Sequence, residues 1–428
     1  MRRGLPARML AGLALGAILG AVAHARAGDA PGLARFVELV TEPIGALFLR
    51  SLFMLVIPLI VSALALGIAG LGDIRRLGRI GLRTLVYTVI ASFIAVLLGV
   101  ALVNVVRPGD GLSPEARARL LSRATATVLA PTIAPRTGLD FLLNLVPSNV
   151  VRAMADGDML AVMVFSLLLG IGLLLTPGRP ARQLEETLQG LYDVVMQLLD
   201  LVIRTAPVAV ACLLFSLTAR VGVEVLQQLA SYVFVVVTAL AIQQFVVYGL
   251  SVWWLGGWNP IAFFRAVRAP MLTAFSTASS NATLPTSLLV AESELGLPPH
   301  VSRFVLTVGS TANQHGTALF EGVTVLFLAQ FYGVQLSIAQ QVLVVSICVL
   351  GGIGTAGVPA GSIPVVAMIL GMVGVPPEGI GMILGVDRFL DMCRTTLNVT
   401  GDLVAAVVVA RGEPHDPEAA PEAAPASP

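Results

Sequence analysis

Asp387-Arg-Phe-Leu-Asp-Met-Cys-Arg-Thr-Thr-Leu-Asn-Val-Thr-Gly-Asp402 is a charged stretch lodged between Gly-rich apolar sequence (residues 379–386) and a wholly apolar run (residues 403–410). At about 100° per helical residue, Asp387, Asp391, Arg394, Asn398 and Asp402 fall on one wedge roughly 100° wide, with Thr395 at its edge. Phe389, Leu390, Met392, Leu397 and Leu403 take the other faces. Ionisable groups at membrane depth cost several kcal/mol unless they pair or line a polar cavity, so such a face marks a site. The bland alternative is a polar network gluing helices together. Five polar groups on one wedge exceed what glue needs.

The surrounding chain supplies the membrane character. Of its 428 residues, 56% are hydrophobic and 12% charged, which no soluble domain requires. Several runs exceed the roughly 20 apolar residues that cross a bilayer, so the chain reads as an all-α polytopic membrane protein. A net charge of +1 suggests no nucleic-acid partner. All 26 basic residues are Arg, which removes a P-loop lysine and a Schiff-base lysine from the options. Cys212, Cys348 and Cys393 lie in apolar segments without metal-like spacing, so neither a disulfide nor zinc is indicated.

Residues 1–26 combine Arg2, Arg3 and Arg8 with an apolar run, a pattern shared with secretory signal peptides. The many later spans favour a retained first helix with its start in the cytoplasm. A second span is expected over residues 44–71, a short basic loop over 72–83, and a third span over 85–106. Residues 107–136 are polar and expected outside. A fourth segment, interrupted by Pro and Gly, lies within 139–175, and the fifth and sixth cover about 191–218 and 229–252. From Gly412 the tail is rich in Pro, Ala and Glu and is expected to be disordered.

The second half differs in kind. Residues 261–290 hold two apolar arms around Ser276-Thr-Ala-Ser-Ser-Asn-Ala-Thr-Leu-Pro285, and residues 341–373 hold two around Gly351-Gly-Ile-Gly-Thr-Ala-Gly-Val-Pro-Ala-Gly-Ser362. Arms of about 10–14 residues are too short to span, so both read as re-entrant hairpins. Their tips have free backbone groups, which survive at membrane depth only when buried in protein or lining a cavity. Each hairpin precedes a long helix, expected over 303–331 and 378–411. Hairpin and helix, twice over, predict an inverted repeat with its binding site at mid-membrane.

Four motifs in order carry a resemblance: Ser279-Ser280-Asn-Ala-Thr-Leu-Pro285, Asn313-Gln-His-Gly-Thr317, Gly354-Thr-Ala-Gly-Val-Pro359 and Asp387…Arg394-Thr…Asn398-Val-Thr-Gly-Asp402. The chain resembles the glutamate transporter family, the dicarboxylate/amino acid:cation symporters, over nearly its whole length. The resemblance implies eight transmembrane helices, two re-entrant hairpins and a homotrimer with an elevator mechanism. Residues 1–84 and 139–220 (spans one, two, four and five) would be scaffold, and 107–138 an extracellular loop. Residues 85–106 (span three) and 221–411 would form the moving transport domain, with 412–428 as a cytoplasmic tail. The second hairpin would be the outer gate.

Carried over position by position, the resemblance gives Arg394 the substrate's side-chain carboxylate and Asp391 its ammonium, with Thr395 beside it. Asn398 and the tips at Ser279, Ser280, Val358 and Gly361 would hold the α-carboxylate, and Thr317 would touch the side-chain carboxylate. Gly309, Asn313, Asn398 and Asp402 would make one sodium site, and Thr311 with Gly352, Ile353 and Thr355 a second. The residues themselves agree in part: a cation and an anion three residues apart suit a zwitterion carrying an extra carboxylate. The expected cargo is therefore aspartate or glutamate with sodium, protons or both, and no cofactor.

This sequence also departs from the family's pattern. Where Asn-Met-Asp-Gly-Thr is usual, Gln314 and His315 replace Met and Asp, and Ala91-Ser92 stands for the usual Thr-Ser pair. Imidazole offers sodium neither an oxygen nor a negative charge. The third cation site is therefore expected to be absent, or replaced by a proton on His315 with Ser92 nearby. Ala278 and Met392 leave the site one basic group short of some members. C4-dicarboxylates and neutral amino acids are the alternative substrates. From another class, an intramembrane aspartyl protease would use Tyr192-Asp193, but Leu384-Gly-Val-Asp387 lacks the second required context. A passive channel or a non-transporting sensor is the remaining alternative. The expected location is a bacterial plasma membrane, with both termini cytoplasmic and lipids as neighbours.

Overall fold

A computed structural model describes residues 5–27, 30–69, 74–111, 146–156, 159–354 and 362–413. Among them every regular element is helical. The principal helices are α1 (Leu5–Ala27), α2 (Glu42–Met54), α3 (Val56–Ala69), α4 (Ile74–Val106), α5 (Met159–Leu175), α6 (Arg179–Val221) and α7 (Glu224–Ala241). They continue with α8 (Arg268–Thr277), α9 (Ser280–Ser293), α10 (Pro299–Ala312), α11 (His315–Tyr332), α12 (Ile338–Gly354), α13 (Ser362–Met372) and α14 (Ile380–Ala410). Five segments among the described residues are long and apolar enough to cross a bilayer: Pro31–Leu66, Arg79–Val106, Arg179–Arg220, Glu224–Gly256 and Ile380–Ala410.

The helices run further than apolarity suggests. The expected basic loop at 72–83 is helical from Ile74, so Arg79 and Arg83 lie on the first turns of α4. The fifth span begins at Arg179, where Pro180 suits a first turn because its missing N–H would be unsatisfied anyway. The sixth continues through two π-helical stretches, Ile242–Val247 and Val252–Gly256. Such widened turns are frequent at functional sites. The expected loop at 107–138 and tail at 412–428 fall mostly outside the described residues.

Glycine sets the closest helix pair. Gly12, Gly16 and Gly20 of α1 recur every four residues and face Pro207, Ala211 and Thr218 of α6, where any Cβ would strike α6 atoms. In lipid, helix association rests on packing, and small residues let the backbones approach. His24 at the end of α1 bonds the Ala219 carbonyl near the end of α6 at 2.9 Å, so the two run parallel. α3 packs along α5, while α14 lies among α8, α10 and α11, with α4 against α11.

Polar pairs fix which helix ends share a face. Arg79 Nη2 reaches Glu413 at 2.9 Å and Arg83 Nη1 at 3.2 Å, joining the start of α4 to the end of α14. Arg411 Nη1 donates to the Trp254 carbonyl at 2.9 Å, joining the end of the sixth span to the same face. Gly109 N donates to Gln330 Oε1 at 3.3 Å across the opposite face. Followed helix by helix, these pairs place the start of α1 and the end of α14 together.

The arms expected of the two hairpins are helical, with α12 at 17 residues longer than the roughly 10–14 expected. Asn259 caps Pro260–Ala266, α8 leads to a tip at Ala278, and Ser279 caps α9, its Oγ accepting from Ala282 N at 3.2 Å. The 10-residue α8 and 14-residue α9 each fall short of a bilayer's thickness. In the second hairpin α12 and α13 are the arms, and the tip at 355–361 lies outside the described residues. The expected continuous helix over 303–331 is corrected: α10 and α11 are separate half-helices with a break at Asn313 and Gln314. Asn313 (ψ 75°) and Gln314 (ψ 53°) leave helical geometry. One freed backbone group, Gly316 N, finds its partner in Asn398 Oδ1 of α14 at 2.7 Å, which is how a break persists inside protein.

Candidate functional site

α14 buries the charged wedge completely. Asp387, Asp391, Arg394, Thr395, Asn398 and Asp402 are all at most 5% exposed. Arg394 Nη1 donates to Asp387 Oδ1 at 2.8 Å and Nη2 lies 3.0 Å from Asp391 Oδ1. The guanidinium also sits over the Phe320 ring, 4.3 Å from its centroid. A buried cation is tolerable only when paired and hydrogen-bonded, and the two carboxylates with the ring meet that requirement.

Asn398 ties this face to the helix break. Its Oδ1 accepts from Gly316 N at 2.7 Å, and its Nδ2 donates to Gln314 Oε1 at 2.6 Å and to Thr317 Oγ1 at 3.1 Å. Gly316 must be glycine, because a Cβ would press on the Arg394 backbone. The break thus places Thr317 against Asn398 on the charged face. At the first hairpin's tip, Ser279 is half-buried, while Ser280 is buried and its Oγ has no hydrogen-bond partner. Ala278 is held at φ 49°, a left-handed conformation that strains any residue with a Cβ.

One turn along α14, Asp402 Oδ1 accepts from Asn313 Nδ2 at 2.7 Å. Gly309 packs directly on this carboxylate, where a Cβ would collide with Asp402. The buried Asn313 Oδ1 has no hydrogen-bond partner. A carboxylate, an orphaned amide oxygen and nearby carbonyls are the hard donors that sodium takes. Of the expected first cation set, Gly309, Asn313 and Asp402 converge, whereas Asn398 turns its oxygen to Gly316. For the second set, Gly352 packs beside Gln314 and Ala318 next to the break, and Thr311 Oγ1 donates back to Val308 O at 3.0 Å. Ile353 lies in the last turns of α12, its side chain outside the described residues, as are Thr355, Val358 and Gly361 altogether.

His315 is fully buried at the start of α11, its Nδ1 2.6 Å from Tyr248 Oη. The Tyr87 ring of α4 meets it edge-on at 6.3 Å, and Gly401 packs against both His315 and Tyr248. Ser92 is buried further along α4 and Ala91 adds no hydroxyl. The residues that would form a third cation site here are an imidazole already bonded to a phenol, which does not fit a sodium ion.

Two residues escaped the sequence reading. Arg388 stands about 60° from Asp391 around α14, outside the wedge, yet its Nη1 lies 3.2 Å from Asp391 Oδ2. A second guanidinium therefore stands beside Asp391. Its only sequence signal was the three-residue spacing. Glu321, one residue beyond Phe320 on α11, is fully buried with neither oxygen hydrogen-bonded. A lone Glu inside an apolar run was the available signal. Asp193, by contrast, is exposed on α6 and bonded to Gln189 at 2.9 Å, so the protease pairing with Asp387 does not form.

A family model for the sodium:dicarboxylate symporter family matches residues 5–412. A proton/glutamate-aspartate symporter of Escherichia coli is 35% identical over 95% of this chain and 92% of its own length. A proton/sodium-glutamate symport protein of Bacillus subtilis is 35% identical over 96% and 93%. A C4-dicarboxylate transport protein of Agrobacterium fabrum is 31% identical over 87% and 82%. With its broken helix, paired hairpins and buried charged face, the chain belongs to the sodium:dicarboxylate symporter family, whose members are transporters and not enzymes.

Proposed function

We infer that this protein is a secondary active symporter for aspartate or glutamate. The carrying observation is Arg394 and Asp391, 3.0 Å apart and buried on one face of α14 beside the helix break and the first hairpin. Arg394 takes the side-chain carboxylate, and Asp391 with Thr395 takes the ammonium. Thr317 also touches the side-chain carboxylate, and Asn398 with the tip residues Ser279, Ser280, Val358 and Gly361 is assigned the α-carboxylate. The names of the two relatives at 35% identity point the same way.

Sodium is assigned to Asp402, Asn313 and Gly309, where the donors are hard oxygens, and to Thr311 with Gly352, Ile353 and Thr355. For protons the geometry favours Glu321 over His315. A carboxyl with no partner in a dry interior exists as the neutral acid or bears the full desolvation of an unpaired anion. Uptake of a proton there, and its release when the site meets the other face, is a coupling step that the chain's own residues supply.

The mechanism we assign is an elevator. The division is supported by α1 packing along α6 and α3 along α5, while α8, α10 and α11 pack on α14 and α4 on α11; α1 and α6 also meet α14, where the two groups adjoin. The first group would hold a homotrimer, and the second would carry substrate across. The shared face of the chain's two described ends is assigned to the cytoplasm of a bacterial plasma membrane, where Arg79, Arg83 and Arg411 suit the positive-inside rule.

C4-dicarboxylates form a second reading, favoured by one observation: Arg388 already neutralises Asp391. The deciding experiment is uptake of labelled aspartate, glutamate and succinate into proteoliposomes, with sodium and pH gradients imposed separately. Accumulation of either amino acid against its gradient supports the assignment. Preference for succinate over both, or equilibration only, overturns it.

A further inference from the structure

A groove of about 490 Å³ runs between α4, the sixth span and the end of α14. Leu82, Val86, Ile90 and Ile94 form one wall; they recur every four residues and all are exposed. Val247, Ser251 and Leu255, again four residues apart, form the facing wall, with the buried Tyr87 on the floor. From Leu82 to Ile94 the wall rises about 18 Å at 1.5 Å per residue, close to the roughly 15 Å of hydrocarbon in one leaflet.

Charge gathers at one end of this groove. Arg83 lines its mouth, and Arg79 stands one turn earlier on α4. Both guanidiniums reach the nearly buried Glu413, yet Arg79 stays 62% and Arg83 45% exposed. Arg411, also exposed, donates to the Trp254 and Leu255 carbonyls. Among these joined side chains three guanidiniums face one carboxylate, which leaves two positive charges in excess. Trp253, Trp254 and Leu255 project from the second π-helical stretch, each more than half exposed. Tryptophans gather where hydrocarbon meets headgroups, so the mouth lies at headgroup level and the apolar walls run inward from it.

We propose that this groove holds an acyl chain of an anionic glycerophospholipid, with its phosphate at Arg79 and Arg83. Lipid on a convex helix face exchanges with its neighbours at little cost. A chain between two walls is covered on both flanks, and the cations at the mouth select its headgroup. A zwitterionic lipid fills the walls equally well but brings no net charge to meet the excess. The proposal is independent of which substrate the protein carries.

The three tryptophans of the chain, Trp253, Trp254 and Trp258, cluster in sequence at this mouth, so their fluorescence reports on it. The test places the full chain in bilayers mixing phosphatidylcholine with phosphatidylglycerol, one or the other brominated on its acyl chains, and reads the quenching. Wild type should hold phosphatidylglycerol at least about fivefold more tightly than phosphatidylcholine, the scale of one arginine near an anionic headgroup. Arg83→Gln should lower this ratio about fivefold, and Arg83→Lys should keep it within about twofold of wild type. Glu413→Gln releases both guanidiniums and should raise it. Val86→Phe with Ile90→Phe fills the groove from exposed positions and should abolish the preference.

Equal quenching by the two lipids in wild type overturns the proposal. So does a preference that survives the filled groove, which would mark diffuse surface charge instead of a site. A ratio that falls in Glu413→Gln as it does in Arg83→Gln also overturns it, because the ion pair would then be structural only. If Arg83→Gln is lost from the membrane, Glu413→Gln and the filled groove decide by the same criteria.

Discussion

His315 Nδ1 and Tyr248 Oη lie 2.6 Å apart in a fully buried position, joining the start of α11 to the sixth span between its two π-helical stretches. The bond occupies the place where the related family pattern puts a carboxylate. Tyr248→Phe would leave the imidazole nitrogen without a partner, at a cost of about 1–3 kcal/mol. We expect a lowered melting temperature with substrate specificity retained. An unchanged melting curve would show that the pair contributes nothing.

The same pair bears on ion stoichiometry. With no carboxylate at 315 and no hydroxyl at Ala91, fewer than three sodium ions should move with each substrate. Reversal potentials in proteoliposomes measure this directly. The double variant His315→Asp with Ala91→Thr should add sodium dependence, and three coupled sodium ions in the wild type would refute the missing site.

Arg394→Ala leaves Asp387 buried without its cation and Asp391 with Arg388 alone. Breaking such a pair costs about 3–5 kcal/mol, enough for a loss of more than a hundredfold in acidic amino acid uptake. Transport of a small neutral amino acid could survive, since its ammonium still meets Asp391. Normal aspartate or glutamate uptake by this variant would exclude Arg394 as the carboxylate anchor.

Glu321→Gln keeps the shape and removes the proton-binding carboxyl. Uptake driven by an imposed pH gradient should be lost, whereas sodium-driven uptake or substrate exchange persists. A variant that still responds to the pH gradient as wild type does would move the proton elsewhere.

Gly16 faces the Ala211 backbone so closely that any side chain must separate α1 from α6. Gly16→Leu is expected to destabilise by roughly 1–3 kcal/mol or more, as overpacking does. Thermal unfolding in detergent reads this, with Gly172→Leu, which meets nothing within 4 Å, as the control.

Much of the candidate site was legible because helical periodicity is a local property. The wedge from Asp387 to Asp402 followed from spacing, and the apolar sequence on either side implied that it pairs internally or lines a cavity. Arm lengths likewise pointed to the first hairpin, whose α8 and α9 run 10 and 14 residues, whereas α12 runs 17 and exceeds the expected arm. Less legible were the helix boundaries: π-helical stretches prolong the sixth span, and the basic segment from Ile74 is helical, because helix formation does not stop where apolarity does.

By itself the sequence determined the membrane class, the hairpins and the face that carries charge, all set by hydrophobic length and a period of 3.6 residues. Tertiary structure alone decided the break at Asn313 and Gln314, which persists because Asn398 of α14 takes the Gly316 N–H that a continuous helix would have used. It alone brought Tyr248 to His315 across 67 residues, and left Glu321 with no partner. These depend on which helices approach and how closely. A buried polar group's energy is set by the atoms that reach it from elsewhere in the chain, and no local pattern encodes them.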